Sequence, residues 1–304
     1  MANQQTILST SPPFPRRVVV ELTNRCNLSC SMCPRRFMTA PLGDMQPGLF
    51  RKVVDEVASH PGTAIAPFFR GEAMLHPDFL GLLEYARRMV SGRIMLFTNC
   101  VPMDEPMADS ILSLGIDHIS FSIDSPDPQT YRDIRRGGDF ERLNKNVSYF
   151  LGQKMARGLR LPETQVSFVR TRLNSHLVDA FVSKWKGAVD RVRIYEEHSA
   201  NGRFGSSAEA VSQIDRQPCL KPFSELVVYW NGETALCNHD WDRKESLGSV
   251  RDHSIEEIWH GPEYARIRDM HIAGQWEKMT PCSSCTQWHA YYSDNGVVGE
   301  LLTD

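Results

Sequence analysis

The sequence contains no run of about 18 apolar residues, so no segment reads as a membrane-spanning helix. It also lacks any long block of like charge: 34 basic residues stand against 37 acidic ones, a formal net charge of −3. That balance argues against a nucleic-acid groove and against a helix lying on a membrane surface, and neither partner is expected. The opening stretch, MANQQTILSTSPPFPRR, has no apolar core of signal-peptide length. We therefore expect a cytoplasmic protein with a flexible lead-in over residues 1–16. No internal repeat or low-complexity tract stands out.

What is present is ordinary in bulk and unusual in detail. At 304 residues, with 41% hydrophobic and 23% charged residues, the chain can bury a sizeable core without disulfides. Its eight cysteines then read as reduced thiols, and their spacing carries the information. Cys26, Cys30 and Cys33 stand near the start, Cys100 stands alone, and Cys219, Cys237, Cys282 and Cys285 fall near the end. That is a metal-site distribution.

Apolar periodicity predicts alternating strands and helices. RVVVELT (17–23), AIAPFF (64–69), RIMLFT (93–98), DHISFSID (117–124), TQVSFVR (164–170) and DRVRIYE (190–196) read as buried strands. Helical patterns over 45–60, 79–90, 107–115, 139–154 and 175–187 follow all but the last. Such alternation calls for parallel strands with helices outside, either an open doubly wound sheet or a complete or partial barrel. In either case ligands sit at the carboxyl ends of the strands. The three cysteines, Arg70–Gly71–Glu72, Thr98, Asn99, Ser122 and Asp124 all fall there. From 201 to 217 the composition turns to Gly, Ser and Gln, marking a linker, and a second, smaller domain is expected over 211–304. It would hold a hairpin across SELVVYWNGETALC (224–237), turning at Asn231–Gly232, and a helix over 254–276 broken at Gly261–Pro262.

Three thiols on one loop leave a four-coordinate metal or an iron–sulfur cluster one ligand short, and an open position marks a catalytic metal. A zinc completed by a distant side chain remains an alternative. The later set of four is closed; a structural zinc and an iron–sulfur cluster both satisfy it.

The spacing CxxxCxxC, filled by Cys26, Cys30 and Cys33 with Met32 before the last, follows a first strand into ELTNRCNLSC. It resembles the signature of the radical S-adenosylmethionine (SAM) superfamily. The resemblance implies a partial (β/α)6 TIM-type barrel over 17–210 and a [4Fe–4S] cluster whose open iron chelates SAM. It also implies a 5′-deoxyadenosyl radical as the hydrogen abstractor. RGEAMLHPDF resembles the superfamily's Gly-Gly-Glu segment, with Arg70 in place of the first glycine; Gly71 and Glu72 would then meet the SAM amino group. Met32, Asn99, Ser122 and Gln165 match positions near the cofactor, the last three toward its carboxylate, ribose and adenine. Cys219, the Gly232-to-Cys237 segment and the CxxC of Cys282 and Cys285 resemble a SPASM or twitch domain. That implies a small α+β unit holding one auxiliary [4Fe–4S] cluster.

A fully ligated second cluster has no position for substrate, so its use is electron transfer. Length and layout resemble the superfamily's aminoglycoside-pathway members, the neomycin-type epimerases and the butirosin-type aminocyclitol dehydrogenases. Epimerisation of an aminoglycoside is therefore expected, with dehydrogenation as the alternative and peptide maturation as a further one. A flavodoxin- or ferredoxin-type reductant is implied. Ser249, after Leu247–Gly248, falls where the epimerases' hydrogen-donating cysteine belongs; natural or introduced, a hydroxyl there is a poor hydrogen-atom donor. Cys100 reads as a buried inert thiol. Glu163, Glu196, Glu197, Asp240 and Asp242 are candidate partners for substrate ammonium groups, and Trp230, Trp241, Trp259 and Trp288 candidate sugar floors, with surface and core as their ordinary roles.

Overall fold

The computed structural model describes residues 12–198, 216–243, 245 and 247–288. Most of the expected lead-in, most of the linker and the last 16 positions of the second unit, from 289 on, lie outside these residues. Six parallel strands form in chain order: β1 (Arg17–Val20), β2 (Ala64–Ala66), β3 (Met95–Thr98), β4 (His118–Ser122), β5 (Glu163–Arg170) and β6 (Arg191–Glu196). β1 pairs with β2, and β3 to β6 pair in sequence. A parallel bridge between Ile65 and Ile94 joins the two sets. The strands are short and nearly all apolar because helices cover one face and the barrel interior the other.

The helices are α1 (Pro47–Ala58), α2 (Phe79–Met89), α3 (Glu105–Leu114), α4 (Pro128–Ile134), α5 (Phe140–Ala156) and α6 (Val178–Trp185). Each buries one apolar stripe, as α1 does with Leu49, Phe50, Val53, Val54 and Val57. Asp104, Asp127 and Asp139 cap α3, α4 and α5 by accepting from backbone N–H groups of the first turn. Helix α4 is absent from the sequence expectation. Its seven residues are too few for a periodic signal, although Asp127–Pro128 is a start signal of the expected kind.

The carboxy-terminal part does not hang from the barrel as a separate body. β7 (Glu225–Val228) pairs parallel with β1 in register from Arg17↔Glu225 to Val20↔Val228, and β8 (Thr234–Ala235) returns antiparallel to it. The expected hairpin thus forms, and it also extends the barrel sheet past its first strand. Helices α7 (Ile255–Trp259) and α8 (Pro262–Ile272) meet at Gly261, and their buried Ile258, Trp259, Tyr264 and Ile267 belong to the same apolar core as Val18 and Phe50.

Charge locks the β1–β7 pairing at both ends. At the lower end Arg17 reaches Glu225 at 2.6 Å, and Lys221 also reaches Glu225 at 3.3 Å. Burial alone would raise the Glu225 carboxyl, but Arg17 and Lys221 hold it below the usual range. At the upper end the buried Glu21 carboxylate is gripped by Arg70 through two hydrogen bonds of 2.6 and 2.7 Å. Glu21 also accepts from the Trp230 backbone at 3.2 Å, and its own N–H donates to Val228 O. Arg70 donates its remaining nitrogen to Trp241 O at 3.1 Å and stacks 4.2 Å from the centre of the Tyr229 ring. Removing one member of a buried pair strands the other charge, at a cost of about 3–5 kcal/mol. Arg70→Ala should therefore lower unfolding stability by about that much. Urea denaturation of the anaerobically purified protein reads the change, and the paired replacement Glu21→Leu with Arg70→Met should recover most of it.

Candidate functional site

The chain leaves β1 through Glu21 into the three-cysteine loop, and that loop is pinned on three sides. Thr23 donates to Asp44 at 2.6 Å, and Asn24 donates to Pro41 O and accepts from Gly43 N. Glu72 N donates to Arg25 O at 2.8 Å. From the side of α4, Ser29 N and Ser31 N donate to Arg136 O and Ile134 O. A side chain at Gly71 would run into the Thr23 and Arg25 carbonyls, so only glycine lets the rim segment after β2 lie against the loop.

A cavity of about 350 Å³ opens beside the loop, within the range of small-molecule sites. Cys26, Cys30, Met32, Cys33, Gly71, Glu72, Asn99 and Ser122 all line it, which brings together most of the expected cofactor residues. Glu72 is buried, and burial pushes its carboxyl up while Asn99 N at 2.7 Å, Thr98 Oγ1 at 2.9 Å and Met74 N donate to it. Asn99 donates to Asn27 at 2.9 Å and lies 4.0 Å from the Cys26 sulfur. Gln165 is not among the lining residues. It is buried on β5, donates to Ser120 at 2.9 Å, and has no hydrogen-bond partner for its Oε1 among the described residues.

Burial raises all three thiols, Cys33 up to about 12; neighbouring cysteines of the set raise Cys26 and Cys33 further, and Asp124 raises Cys30. Two cations answer them, Arg35 at Cys26 and Arg135 at Cys30 and Cys33. Arg135, at the end of α4, lies 3.8 Å from the Cys30 sulfur and 2.6 Å from the buried Asp124 carboxylate, and it lines the cavity. Burial alone would lower the pKa of Arg135, but Asp124 and Cys30 raise it beyond its ordinary value and keep it charged. Sequence reasoning missed this residue because it sits in a charged run, RDIRRGG, that reads as solvated surface.

The four later thiols are gathered in the same manner. Burial raises each, Cys219 up to about 12, and neighbouring cysteines of the set raise Cys219, Cys237 and Cys282 further. Backbone N–H groups donate to Cys237 from His239 at 3.3 Å and to Cys285 from Gln287 at 3.4 Å, as Leu28 does to Cys26 at 3.5 Å. His271 joins two of them: its Nδ1 accepts from Cys219 N at 3.3 Å, which leaves the proton of the neutral ring on Nε2, 3.6 Å from the Cys282 sulfur. Burial lowers its pKa to about 4, so the ring is neutral at ordinary pH. Among the described residues no three Cys, His, Asp or Glu side chains converge on a position for one ion. A cubane cluster asks for something else, one thiolate on each of its irons.

The remaining expected residues divide. Trp241 lines the first cavity, Glu196 a second one, and Trp230, Trp241 and Asp242 a third. Glu163 is at the wrong end: it opens β5 at the amino-terminal rim, bonded to Arg93 and Arg191. Asp240 is fully buried, with its carbonyl accepting from the Tyr229 hydroxyl, and Trp259 and Trp288 are core. Glu197 lines none of the three cavities. Cys100 is wholly buried with its thiol pushed well up by burial, matching an inert role. Ser249 lines none of these cavities either. Its residue bridges to Glu233, and its hydroxyl accepts from Arg251 N at 3.1 Å within a turn.

A parallel α/β barrel with an open three-thiol loop at its rim and a closed four-thiol set behind it defines a class: enzymes built around metal-cluster cofactors. Residues 20–155 match the Radical SAM superfamily, and residues 219–286 match SPASM, an iron–sulfur cluster-binding domain. A PqqA peptide cyclase of Xanthomonas campestris pv. campestris (strain 8004) is 34% identical over 303 residues, 86% of this chain and 77% of its own. Among solved structures, BtrN in complex with AdoMet and 2-DOIA has a TM-score of 0.62 at 17% identity, covering 89% of this chain and 92% of that one. Streptococcus suis SuiB bound to precursor peptide SuiA has a TM-score of 0.70 at 13% identity, covering 91% and 70%. The chain belongs to the radical SAM superfamily, with a SPASM domain, and its cofactors are SAM and two [4Fe–4S] clusters. The residues fit that set: three gathered thiols, a glycine cradle that any side chain would fill, and an orphan acceptor on Gln165. Among the described residues no helix is long and apolar enough to cross a membrane.

Anaerobically reconstituted protein should carry about eight irons with matching sulfide. Replacing Cys26, Cys30 and Cys33 together by Ala should leave about four, and so should replacing Cys282 and Cys285. Zinc without sulfide would overturn the assignment.

Proposed function

We propose that the chain is a radical SAM epimerase of an aminoglycoside, acting at a hydroxyl- or amine-bearing ring carbon. In this reading Cys26, Cys30 and Cys33 hold the SAM-binding cluster, and Cys219, Cys237, Cys282 and Cys285 hold the auxiliary one. Gly71 and Glu72 face the SAM amino group, with Met32, Asn99, Ser122 and Gln165 around the rest of the molecule. Arg135 adds a fixed cation at the mouth. Held by these residues, the cluster and SAM would supply one-electron hydrogen-abstraction chemistry at the substrate's ring carbon.

The observation that carries the reading is a chamber of about 380 Å³, with an apolar floor and a rim of polar groups, that reaches from Met32 of the open loop to Asn238, His239 and Gln287 beside the closed set. It shares Met32, Phe68, Phe97, Ser122, Arg135 and Val169 with the first cavity. Beyond them its lining includes Ser120, Ser167, Glu196, His198, Asn238 and His239, with Arg17 and Lys221, both held by Glu225, at its lower end. The hydroxyl, amide and imidazole groups of this lining, set against the apolar floor of Met32, Phe68, Phe97 and Val169, suit a polyhydroxylated ring. BtrN is held in its structure with AdoMet and 2-DOIA, and this chain covers nearly all of it. The PqqA relative and SuiB, by their names, act on or bind peptides, which keeps peptide modification as the competing substrate class.

Oxidation to a ketone must shed a proton as well as an electron, and the chamber offers weak acceptors. Burial lowers the pKa of His198 to about 4, and Glu196 is engaged by Arg170. Inversion needs no proton removal, only the return of a hydrogen atom. Dehydrogenation has one observation on its side: outside the two cluster sets, no cysteine lines either chamber, and residue 249 is a serine. A ferredoxin- or flavodoxin-type protein is the proposed electron source.

Residue 249 lies outside both chambers in this structure, so the donor role requires its loop to reach bound substrate. Ser249→Cys, incubated with SAM, reductant and an aminoglycoside in deuterated water, should then form the epimer with solvent deuterium at the inverted carbon, and no gain of epimer would rule residue 249 out as the donor. A ketone formed by the unaltered chain would instead establish dehydrogenation, and turnover of a peptide alone would sink the aminoglycoside reading.

A further inference from the structure

We propose that His271 is a positioning residue of the auxiliary cluster. Its ring donates one hydrogen bond to the sulfur of Cys282, accepts another from the backbone of Cys219, and so raises the potential at which the cluster takes up an electron. The inference concerns the cofactor set and stands whichever substrate the enzyme takes.

His271 lies in the last turn of α8 and is 1% exposed. Neither of its ring nitrogens serves its own helix. Nδ1 accepts from Cys219 N at 3.3 Å and so carries no proton; Nε2, which does, lies 3.6 Å from the Cys282 sulfur. The ring thus spans two ligands from distant parts of the chain, with Trp276 packed beside it at 6.4 Å between ring centres.

The other three sulfurs of the set receive backbone N–H groups: Cys219 from Lys221, Cys237 from His239 and Cys285 from Gln287. Cys282 takes its donor from a side chain, so this hydrogen bond depends on which residue stands at position 271. Arg216 acts on Cys282 by charge at a distance, since its hydrogen bonds go to the Cys282 and Ser283 carbonyls. A hydrogen bond to a cluster thiolate favours the reduced state, which carries more negative charge, over the oxidised one. In the step that is biased, a ferredoxin- or flavodoxin-type carrier gives up one electron, the cluster gains it, and the ring proton stays on Nε2.

The test is an electrode titration of the reconstituted holoenzyme, wild type against His271→Phe and His271→Gln, with and without SAM. SAM binds the open cluster, so the wave that SAM leaves in place belongs to the closed one. His271→Phe keeps a ring and loses both hydrogen bonds. It should make reduction of the closed cluster about tenfold less favourable, a fall of about 59 mV for one electron, with the SAM-side wave unmoved and about eight irons retained. His271→Gln places an amide nitrogen near the position of Nε2 and should recover most of that shift. An unshifted closed-cluster wave in His271→Phe, or equal shifts in the two variants, overturns the proposal. Should His271→Phe fail to take up the closed cluster, pulsed EPR of the reduced wild-type protein carrying isotope-labelled histidine decides. A ring-nitrogen coupling on the closed cluster that His271→Gln loses supports the contact, and the lack of such a coupling overturns it.

Discussion

Glu21 is a carboxylate with no exposure to water, one residue beyond the end of β1. Such a charge persists only if the protein neutralises it completely. The residue that does so, Arg70, stands immediately before the Gly71–Glu72 segment of the SAM side. The same carboxylate accepts from Trp230, and the same guanidinium holds Trp241, four residues past Cys237. One ion pair therefore joins the start of the open thiol loop, the rim after β2 and the loop beyond a ligand of the closed set. A buried pair of this kind contributes little net stability compared with an apolar replacement. What it contributes here is geometry, because two charges with no alternative partner admit one arrangement.

This explains a departure that looked minor in the sequence. An arginine in place of the first glycine of a Gly-Gly-Glu segment leaves the packing of that segment on the cysteine loop intact, since Gly71 still lies against the Thr23 and Arg25 carbonyls. The arginine side chain turns away from the thiols, toward β1 and β7. The residue before Gly71–Glu72 thereby ties the rim after β2 to the loop that follows Cys237.

The strand and helix alternation was legible because parallel strands buried on both faces are continuous apolar runs, and the rim residues were legible because polar groups interrupt those runs at their ends. Asn99 and Ser122 follow that rule; Gln165 does not, since it lies within β5 and hydrogen-bonds to the neighbouring strand. Non-local pairing left no trace. SELVVYW has every local mark of a hairpin strand, and its Asn231–Gly232 turn is where expected, yet nothing near it in sequence indicates that its other edge joins β1. Arg135 was hidden for a related reason. Its charge reads as surface until Asp124, eleven residues earlier, is seen to face it from the barrel rim. Glu163 erred in the opposite direction, because a carboxylate at a strand boundary has no mark that tells the first residue from the last.

The two thiol sets share one electrostatic condition. Burial disfavours the thiolate at all seven positions, and Cys33 and Cys219 are both driven up to about 12. Without metal these groups are neutral side chains in a largely apolar setting, which the fold tolerates. With metal each must release its proton, so cluster assembly and proton release are one equilibrium. The compensation differs between the sets. The open set has a permanent cation, Arg135, set beside Cys30 and facing the cavity. The closed set has Arg216, 2.6 Å from the Cys282 carbonyl, and the neutral ring of His271 between Cys219 and Cys282. Hydrogen bonds to cluster sulfurs and exposure to solvent set the potential of such centres. Both sets are therefore answered by cations, Arg135 at the open one and Arg216 with Lys221 at the closed one; the open set differs in that its cation also faces the cavity beside the loop.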